Sequence, residues 1–259
     1  MWTYQHQNFC VHQLPALKDN YIYLIETKQH LLVVDPTDAE LVINASKQLN
    51  KAVTHILNTH HHWDHTDGNH ALKQHFGCQV ISSEHDAYRT PDYDMSATPS
   101  MLIHDLVIQS IDVPGHTLGH INYLIDDALF TGDTLFGAGC GRLFEGTPTM
   151  MWASLEKLAA LNPATQVYCA HEYTLMNLRF ARTLDENNDA LQERIHSDTR
   201  KRMQKIPTIP SNIALECATN PFLRPLHTDF CQNHANTYQT ESTPLAVFTD
   251  LRQRRDCYS

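Results

Sequence analysis

Residues 59–65 read Thr-His-His-His-Trp-Asp-His, and no other stretch limits the chain so strongly. The segment follows an apolar run at 53–58 that reads as a strand, which places the histidines in the loop at a strand end, where a rigid scaffold displays functional groups. In an extended loop alternate residues face the same way, so His60 and His62 are suited to clamping one metal and His61 points away. Asp64 and His65 lie two steps on and reach toward a neighbouring ion. A lone His-x-His is as much a polar surface loop as a ligand pair; the adjoining Asp-His makes the metal reading the stronger one. Three later clusters add to it: Pro-Gly-His-Thr-Leu-Gly-His at 114–120, Thr-Gly-Asp-Thr at 131–134 and Ala-His-Glu-Tyr at 170–173. Taken alone, each is weak, because a His or Asp at a strand end is commonly a cap. Together they place His60, His62, His65, His116, His171, Asp64 and Asp133 at strand ends, the inventory that two neighbouring divalent ions need when they share a carboxylate.

Composition narrows the class. The 259 residues include 18 His, against 19 Lys plus Arg and 29 Asp plus Glu, for a net charge of −10. That acidity argues against a nucleic-acid partner, although a local basic cluster can still hold an anion. Seven scattered Cys form no C-x-x-C pair, so a disulfide framework is not expected; most read as small buried hydrophobes of a reducing compartment. The N-terminus lacks basic and apolar signal-peptide regions, and no apolar run approaches the roughly 20 residues of a membrane span. The expectation is a soluble cytoplasmic protein, with a single chain as the working unit.

Up to about residue 170 short apolar runs alternate with turn residues. Strands are expected at 21–26, 31–35, 53–58, 79–82, 106–113, 121–125 and 128–131, helices at 70–76 and 150–161, and a last strand at 166–169. The hairpin-like spacings at 21–35 and 121–131 do not suit a purely β-α-β winding, so a mixed sheet with covering helices is expected. From about 173 the texture becomes helical, at 173–186 and 189–205, followed by a Pro- and Asn-rich loop at 206–225 and a terminal helix at 244–255 with a basic end. The domain division is placed at 172: residues 1–172 as a metal-binding catalytic domain and 173–259 as a helical substrate-binding domain.

His60-x-His62-x-Asp64-His65 with His116, Asp133 and His171 resembles the signature of the metallo-β-lactamase superfamily. The segments at 14–21, 132–136, 139–142, 170–174 and 251–256 are more specific, and resemble the hydroxyacylglutathione hydrolases, or glyoxalase II family. The similarity runs from about residue 10 to 257. It implies an α+β fold, an αββα sandwich followed by a mainly helical C-terminal domain. It also implies that His60, His62 and His116 bind one metal, that Asp64, His65 and His171 bind the second, and that Asp133 bridges both. Asp35 is assigned the orienting of a ligand from behind, with a strand-ending turn as the equal alternative. The implied cofactors are two divalent ions, zinc foremost and iron or manganese also compatible with this donor set. By the same resemblance these seven ligands are expected to be the catalytic residues, acting through a water deprotonated between the ions that attacks the thioester of S-(2-hydroxyacyl)glutathione, chiefly S-D-lactoylglutathione; there is no G-x-S-x-G elbow to suggest a serine nucleophile.

Glutathione carries two carboxylates, so a chain with net charge −10 must supply local cations. The resemblance assigns Arg142, Tyr173, Arg252 and Arg255 to that task, arginine's fork being suited to a carboxylate. Without the resemblance, the Arg run reads as a solvated helix end favoured by the helix dipole. Some family members have Lys at the positions of Arg142 and Arg255, Tyr at that of Phe144 and Gly at that of Asp67. Two other readings stay in view: a glutathione persulfide dioxygenase using one iron, and a metal- or anion-binding module without turnover. His61 and His120 flank the site, and the other eleven His read as ordinary polar residues.

Overall fold

The apolar runs of the N-terminal half become strands buried on both faces. In the computed structural model, which describes residues 1–86 and 91–258, the chain forms two compact units: Met1–Asp112 with Leu118–Gly132, and Val113–Thr117 with Asp133–Ser259. In the first, β1 (Trp2–Gln5), β2 (Cys10–Ala16), β3 (Asn20–Glu26) and β4 (Leu31–Val34) pair antiparallel. Helix α1 (Ala39–Leu49) then carries the chain to β5 (Val53–Leu57), parallel to β4. Next come α2 (Trp63–Thr66), α3 (Asn69–Phe76), β6 (Gln79–Ser82) and β7 (Tyr93–Asp94), the last two strands again parallel. The sheet is therefore mixed, as the spacings required. β1, β2 and α1 were not read from the sequence. β1 alternates half-buried and exposed residues as an edge strand does, and α1 is held by an Asp38 cap that accepts from the Glu40 and Leu41 amides.

The same unit contains an antiparallel meander, β8 (Ser100–Ile103), β9 (Leu106–Asp112), β10 (Ile121–Ile125) and β11 (Ala128–Gly132). Val33, Ile56 and Leu72 belong to a core between the first sheet and its helices. Tyr123, from β10, is fully buried, and its hydroxyl donates to the Asn58 carbonyl at 2.8 Å and the Ile81 carbonyl at 2.9 Å. That bond ties the meander to the end of β5, immediately before the histidine segment. Burial holds the Tyr123 phenol well above its ordinary pKa, so it remains a donor.

At another part of this unit, three histidines that the sequence left as background come together. The His30 and His104 rings stack with centroids 3.8 Å apart, and His55 meets His104 edge-on at 5.7 Å. His104 Nε2 and His55 Nδ1 both contact the Thr54 hydroxyl, at 3.1 and 2.9 Å. Burial and neighbouring imidazoles lower the pKa of His55 and His104, against smaller opposing effects of Gln79 on His55 and Asp105 on His104. An unfolded histidine titrates near about 6.5, so below that pH the unfolded chain binds protons that these two rings resist. Their contribution to stability is complete above that pH and is lost as pH falls through the interval down to the folded values. His104 has φ +55°, which asparagine tolerates. The His104→Asn variant should therefore lose melting temperature less steeply than the parent between pH 7 and 5. Parallel curves in a thermal melt series would contradict this.

In the second unit, β12 (Leu135–Phe136) and β13 (Gly139–Cys140) form a two-stranded ribbon. Helix α4 (Pro148–Ala159) starts at a Thr147 cap with Pro148 in its first turn. Then follow β14 (Gln166–Cys169), α5 (Thr174–Arg182), α6 (Asp189–Met203), β15 (Ser211–Asn212), α7 (Ile213–Thr219), α8 (Thr228–Tyr238) and α9 (Pro244–Cys257). β14 pairs antiparallel with β15, so 166–169 is not the last strand. The segment 206–225, read as loop, contains α7. Its buried positions are Ile213, Glu216 and Thr219, and two polar residues on the inward face conceal the apolar period. No helix among the described residues is long and apolar enough to cross a membrane.

Candidate metal centre and anion site

Asp35 stands at the end of β4 with φ +48° and is only 4% exposed. Its Oδ1 accepts the Thr59 amide at 2.8 Å, and its Oδ2 accepts the Thr59 hydroxyl at 2.7 Å and faces His65 Nδ1 at 2.9 Å. A carboxylate on one ring nitrogen fixes the tautomer and turns Nε2 outward as a lone-pair donor, the usual support of a metal-ligating histidine. Asp35 therefore orients the histidine segment from behind, and is more than a turn residue. Beside it, β11 ends in Gly132, whose φ is +48° and whose position leaves no space for a Cβ against the Thr59 hydroxyl. Only glycine satisfies both conditions where the chain passes from β11 to Asp133.

The segment itself differs from a fully extended loop. His60 and His62 do share a side, with His60 Nε2 3.0 Å from His62 Nδ1, but residues 63–66 turn into α2, so Asp64 and His65 are set by a helical turn. Asp64 Oδ2 lies 3.7 Å from His65 Nε2 and accepts from Asn20 Nδ2 at 3.1 Å. His61 points elsewhere, its Nδ1 2.9 Å from the buried Asp86 carboxylate. Asn20 and Asp86 are supporting residues to which motif reading gave no role: Asn20 lies in the 14–21 segment noted above, and Asp86 carries no signal beyond a polar side chain in a turn.

The second unit holds donors of its own. Asp133 Oδ2 lies 3.4 Å from His116 Nε2, and Asp133 Oδ1 lies 3.3 Å from His171 Nε2. One carboxylate thus presents each oxygen to a different imidazole, at about the separation of neighbouring ligands on a tetrahedral ion with bonds near 2.0–2.1 Å. His60 and His62 are spaced in the same way in the first unit. This donor set, imidazole nitrogens and carboxylate oxygens at ligand spacing, fits a dinuclear metal site. His116 Nδ1 faces the Arg142 carbonyl at 2.9 Å, which again leaves Nε2 as the ligating atom. His171 is stacked on Tyr173, with ring centroids 4.7 Å apart and planes within 3°.

The buried Cys140 and Cys169 do not compete as nucleophiles. Burial pushes the Cys169 thiol up to about 12 and raises Cys140, while thiolate chemistry needs a lowered pKa. All seven cysteines are free, four of them buried, consistent with the reading as small hydrophobes.

Three of the cations also gather in the second unit. Arg252 is 4% exposed and its Nη1 donates to the Cys140 carbonyl at 2.9 Å, its Nη2 to Asp256 at 2.8 Å. The Arg142 side chain is 63% exposed, with Nε 3.7 Å from Asp256. Arg255 feels burial first and then the like charges of Arg252 and Arg142, which together lower its pKa. Three guanidiniums close enough to repel, balanced locally by one Asp256, make a site that gains from an added carboxylate. Phe144 packs edge-on against His116 at 5.1 Å and is 63% exposed.

Comparison with known proteins agrees with this chemistry. The family model described as the metallo-β-lactamase superfamily matches residues 17–171, and that described as the hydroxyacylglutathione hydrolase C-terminus matches residues 172–258. Hydroxyacylglutathione hydrolases from Rhodospirillum rubrum and from a Shewanella species are each 44% identical to the chain. These alignments cover 95% and 94% of it and 97% of either relative. Among solved structures, ETHE1 from Myxococcus xanthus aligns with a TM-score of 0.65 at 24% identity, over 95% of this chain and 98% of that one. TTHA1623, crystallised in a di-iron-bound form, aligns with a TM-score of 0.60 at 22% identity, over 82% and 99%. At these identities the two structures bear on the fold alone, and with the family models they show a metallo-β-lactamase αββα sandwich with a mainly helical C-terminal region. From its sequence relatives over nearly its whole length, the chain belongs to the hydroxyacylglutathione hydrolase family, thioester hydrolases of the metallo-β-lactamase superfamily.

Proposed function

We propose that this chain hydrolyses S-(2-hydroxyacyl)glutathione, chiefly S-D-lactoylglutathione, to glutathione and D-lactate, the closing step of methylglyoxal detoxification. The observation that carries the reading is Asp133, whose two oxygens each face a different ring nitrogen, of His116 and His171. We assign His60, His62 and His116 to one divalent ion, Asp64, His65 and His171 to the other, and Asp133 to both. Zinc is our choice of metal, with iron or manganese as alternatives. Two such ions, when bound, acidify a water and polarise the acyl oxygen.

The remaining work falls to the chain. Asp35 and the Arg142 carbonyl hold His65 and His116 with their Nε2 atoms directed at the site. The thiolate of glutathione is a good leaving group near neutral pH, so no protein acid has to protonate it in advance. Binding is assigned to Arg142, Tyr173, Arg252 and Arg255. Arg142 and Arg255 offer their guanidiniums to glutathione carboxylates, whereas Arg252 mainly fixes the 140–141 carbonyls beneath them. Residues 1–172 act as the catalytic domain and 173–259 as the substrate-binding domain. A single chain is taken as the working unit, and the free thiols suit the cytoplasm.

The test is a steady-state comparison of S-D-lactoylglutathione with a small neutral thioester. Arg142→Ala and Arg255→Ala should each raise KM for the glutathione thioester by about 10-fold, the loss of a charge-assisted bond of roughly 1.5 kcal/mol. KM for the neutral ester should stay within about twofold, since no charge-assisted bond to it is lost. Equal effects on both esters would remove the proposed carboxylate contacts, and no hydrolysis of the glutathione ester by the metal-replete parent would remove the function.

A further inference from the structure

The ribbon of β12 and β13 begins two residues after Asp133 and ends two residues before Arg142. Its tip is held almost entirely by side chains of the helical region. Asn220 Nδ2 donates to the Phe136 carbonyl at 3.2 Å and to the Gly139 carbonyl at 2.9 Å. Asn177 Nδ2 donates to the Gly137 carbonyl at 3.0 Å, and Glu216 Oε2 accepts the Ala138 amide at 2.9 Å. Asn220 also donates to Glu216 Oε2 at 3.1 Å, joining the two supports. At both glycines of the tip a Cβ would collide, with Thr174 at Gly137 and with Asn177 at Gly139. Ala138 has φ +54°, a conformation unfavourable to a residue with a Cβ, and its methyl is buried among Leu178, Ala181 and Leu191.

Glu216 is fully buried and would be costly without a counter-charge. Arg194 provides it, with Nη2 2.6 Å from Glu216 Oε1 while its Nε lies 3.4 Å from Asp198. The ion pair lets a charged acceptor stand beneath the ribbon, where a charge-assisted bond is stronger than a neutral one. Asn177 Oδ1 also accepts from Arg255 Nη2 at 3.5 Å, and no motif marks these groups in the sequence.

We propose that Asn177, Glu216 and Asn220 are positioning residues: by fixing the ribbon tip they set Asp133 at one root relative to Arg142 beyond the other. This rests on the metal and glutathione roles assigned above. The chemistry follows from the two roots. Asp133 must present both oxygens, and Arg142 supplies a carboxylate contact with its side chain and the His116 contact with its carbonyl. A ribbon that rocks would loosen all three together.

The experiment compares Asn220→Ala and Asn177→Ala with Asp198→Asn, which removes a partner of Arg194 but touches no ribbon atom. Three quantities are read on each: melting temperature, zinc affinity of the chelated protein by competition with a chromophoric chelator, and kinetics with S-D-lactoylglutathione. The two Asn variants should lose about 10-fold in zinc affinity, the lower end for groups behind a metal ligand, and raise KM several-fold. Asp198→Asn should lose melting temperature with zinc affinity and KM unchanged. The proposal is overturned if all three variants lose zinc affinity in proportion to melting temperature, or if neither Asn variant loses any. Should Asn220→Ala fail to fold, Asn177→Ala decides by zinc affinity against melting temperature, since its KM also feels the lost Arg255 contact. If the parent binds two zinc ions but does not hydrolyse the thioester, the functional reading fails while the zinc-affinity comparison still judges the ribbon.

Discussion

Asp133→Ala is expected to lower kcat/KM for S-D-lactoylglutathione by on the order of 10³-fold or more, with bound metal falling below two ions per chain. The magnitude follows from the several kcal/mol of transition-state charge stabilisation that a metal centre supplies, at about 1.4 kcal/mol for each factor of ten. The reason for placing this variant first is geometric. His116 and His171 each face one oxygen of the same carboxylate, at 3.4 and 3.3 Å. Removing it takes a ligand from both proposed ions, whereas removing any histidine takes one ligand from one ion. His61→Ala provides the contrast: its Nδ1 is engaged by Asp86, so the variant should keep both metals and most of its activity. Metal analysis beside thioester kinetics on the two variants separates a bridging role from a merely acidic one. An Asp133→Ala protein with two ions and unaltered kcat/KM would refute the assignment.

Asp35→Asn is the second large effect, expected to cost about 10- to 100-fold in affinity for the ion held by His65, the usual range for a group behind a metal ligand. The substitution is nearly isosteric, and asparagine accepts the left-handed φ of +48° found there. Its amide nevertheless cannot accept at both ends. Asp35 serves the Thr59 amide and hydroxyl as well as His65 Nδ1. An NH₂ turned toward His65 would donate to Nδ1 and drive the imidazole proton onto Nε2, the atom assigned to the metal. If instead the NH₂ faced Thr59, the hydrogen bond that ties down the first residue of the motif would be lost. Zinc titration and a thermal melt distinguish these outcomes from simple unfolding. Unchanged zinc affinity in a folded Asp35→Asn protein would deny the orienting role.

How much of this was legible beforehand depended on whether the controlling interaction was local. Spacing alone marked His60, His62, Asp64 and His65 as a cluster, and the strand ends marked His116, Asp133 and His171. α3 and its Gly77 stop, the 121–131 hairpin, α4 and α9 were readable because apolar period and cap residues agree within a dozen positions. α7 was not, because Glu216 and Thr219 occupy its buried face and satisfy partners far away in sequence. α2 was missed because four residues carry no period, yet it decides how Asp64 and His65 are presented. Asp35 was visible only as a turn or a support, and the structure shows support through three hydrogen-bond contacts. Arg252 read as a surface cation at a basic helix end; burial against Phe222, 4.9 Å from its ring, depends on tertiary packing that no local pattern encodes.

The most direct test of the account is stepwise return of zinc to the rigorously chelated protein, reading bound metal and thiol release from S-D-lactoylglutathione on the same samples. The account predicts negligible hydrolysis without metal, two zinc ions bound per chain at saturation, and full activity only as the second is taken up. Full hydrolysis in protein that analysis shows to be free of metal would contradict the account, and so would saturation of both binding and activity at one ion per chain.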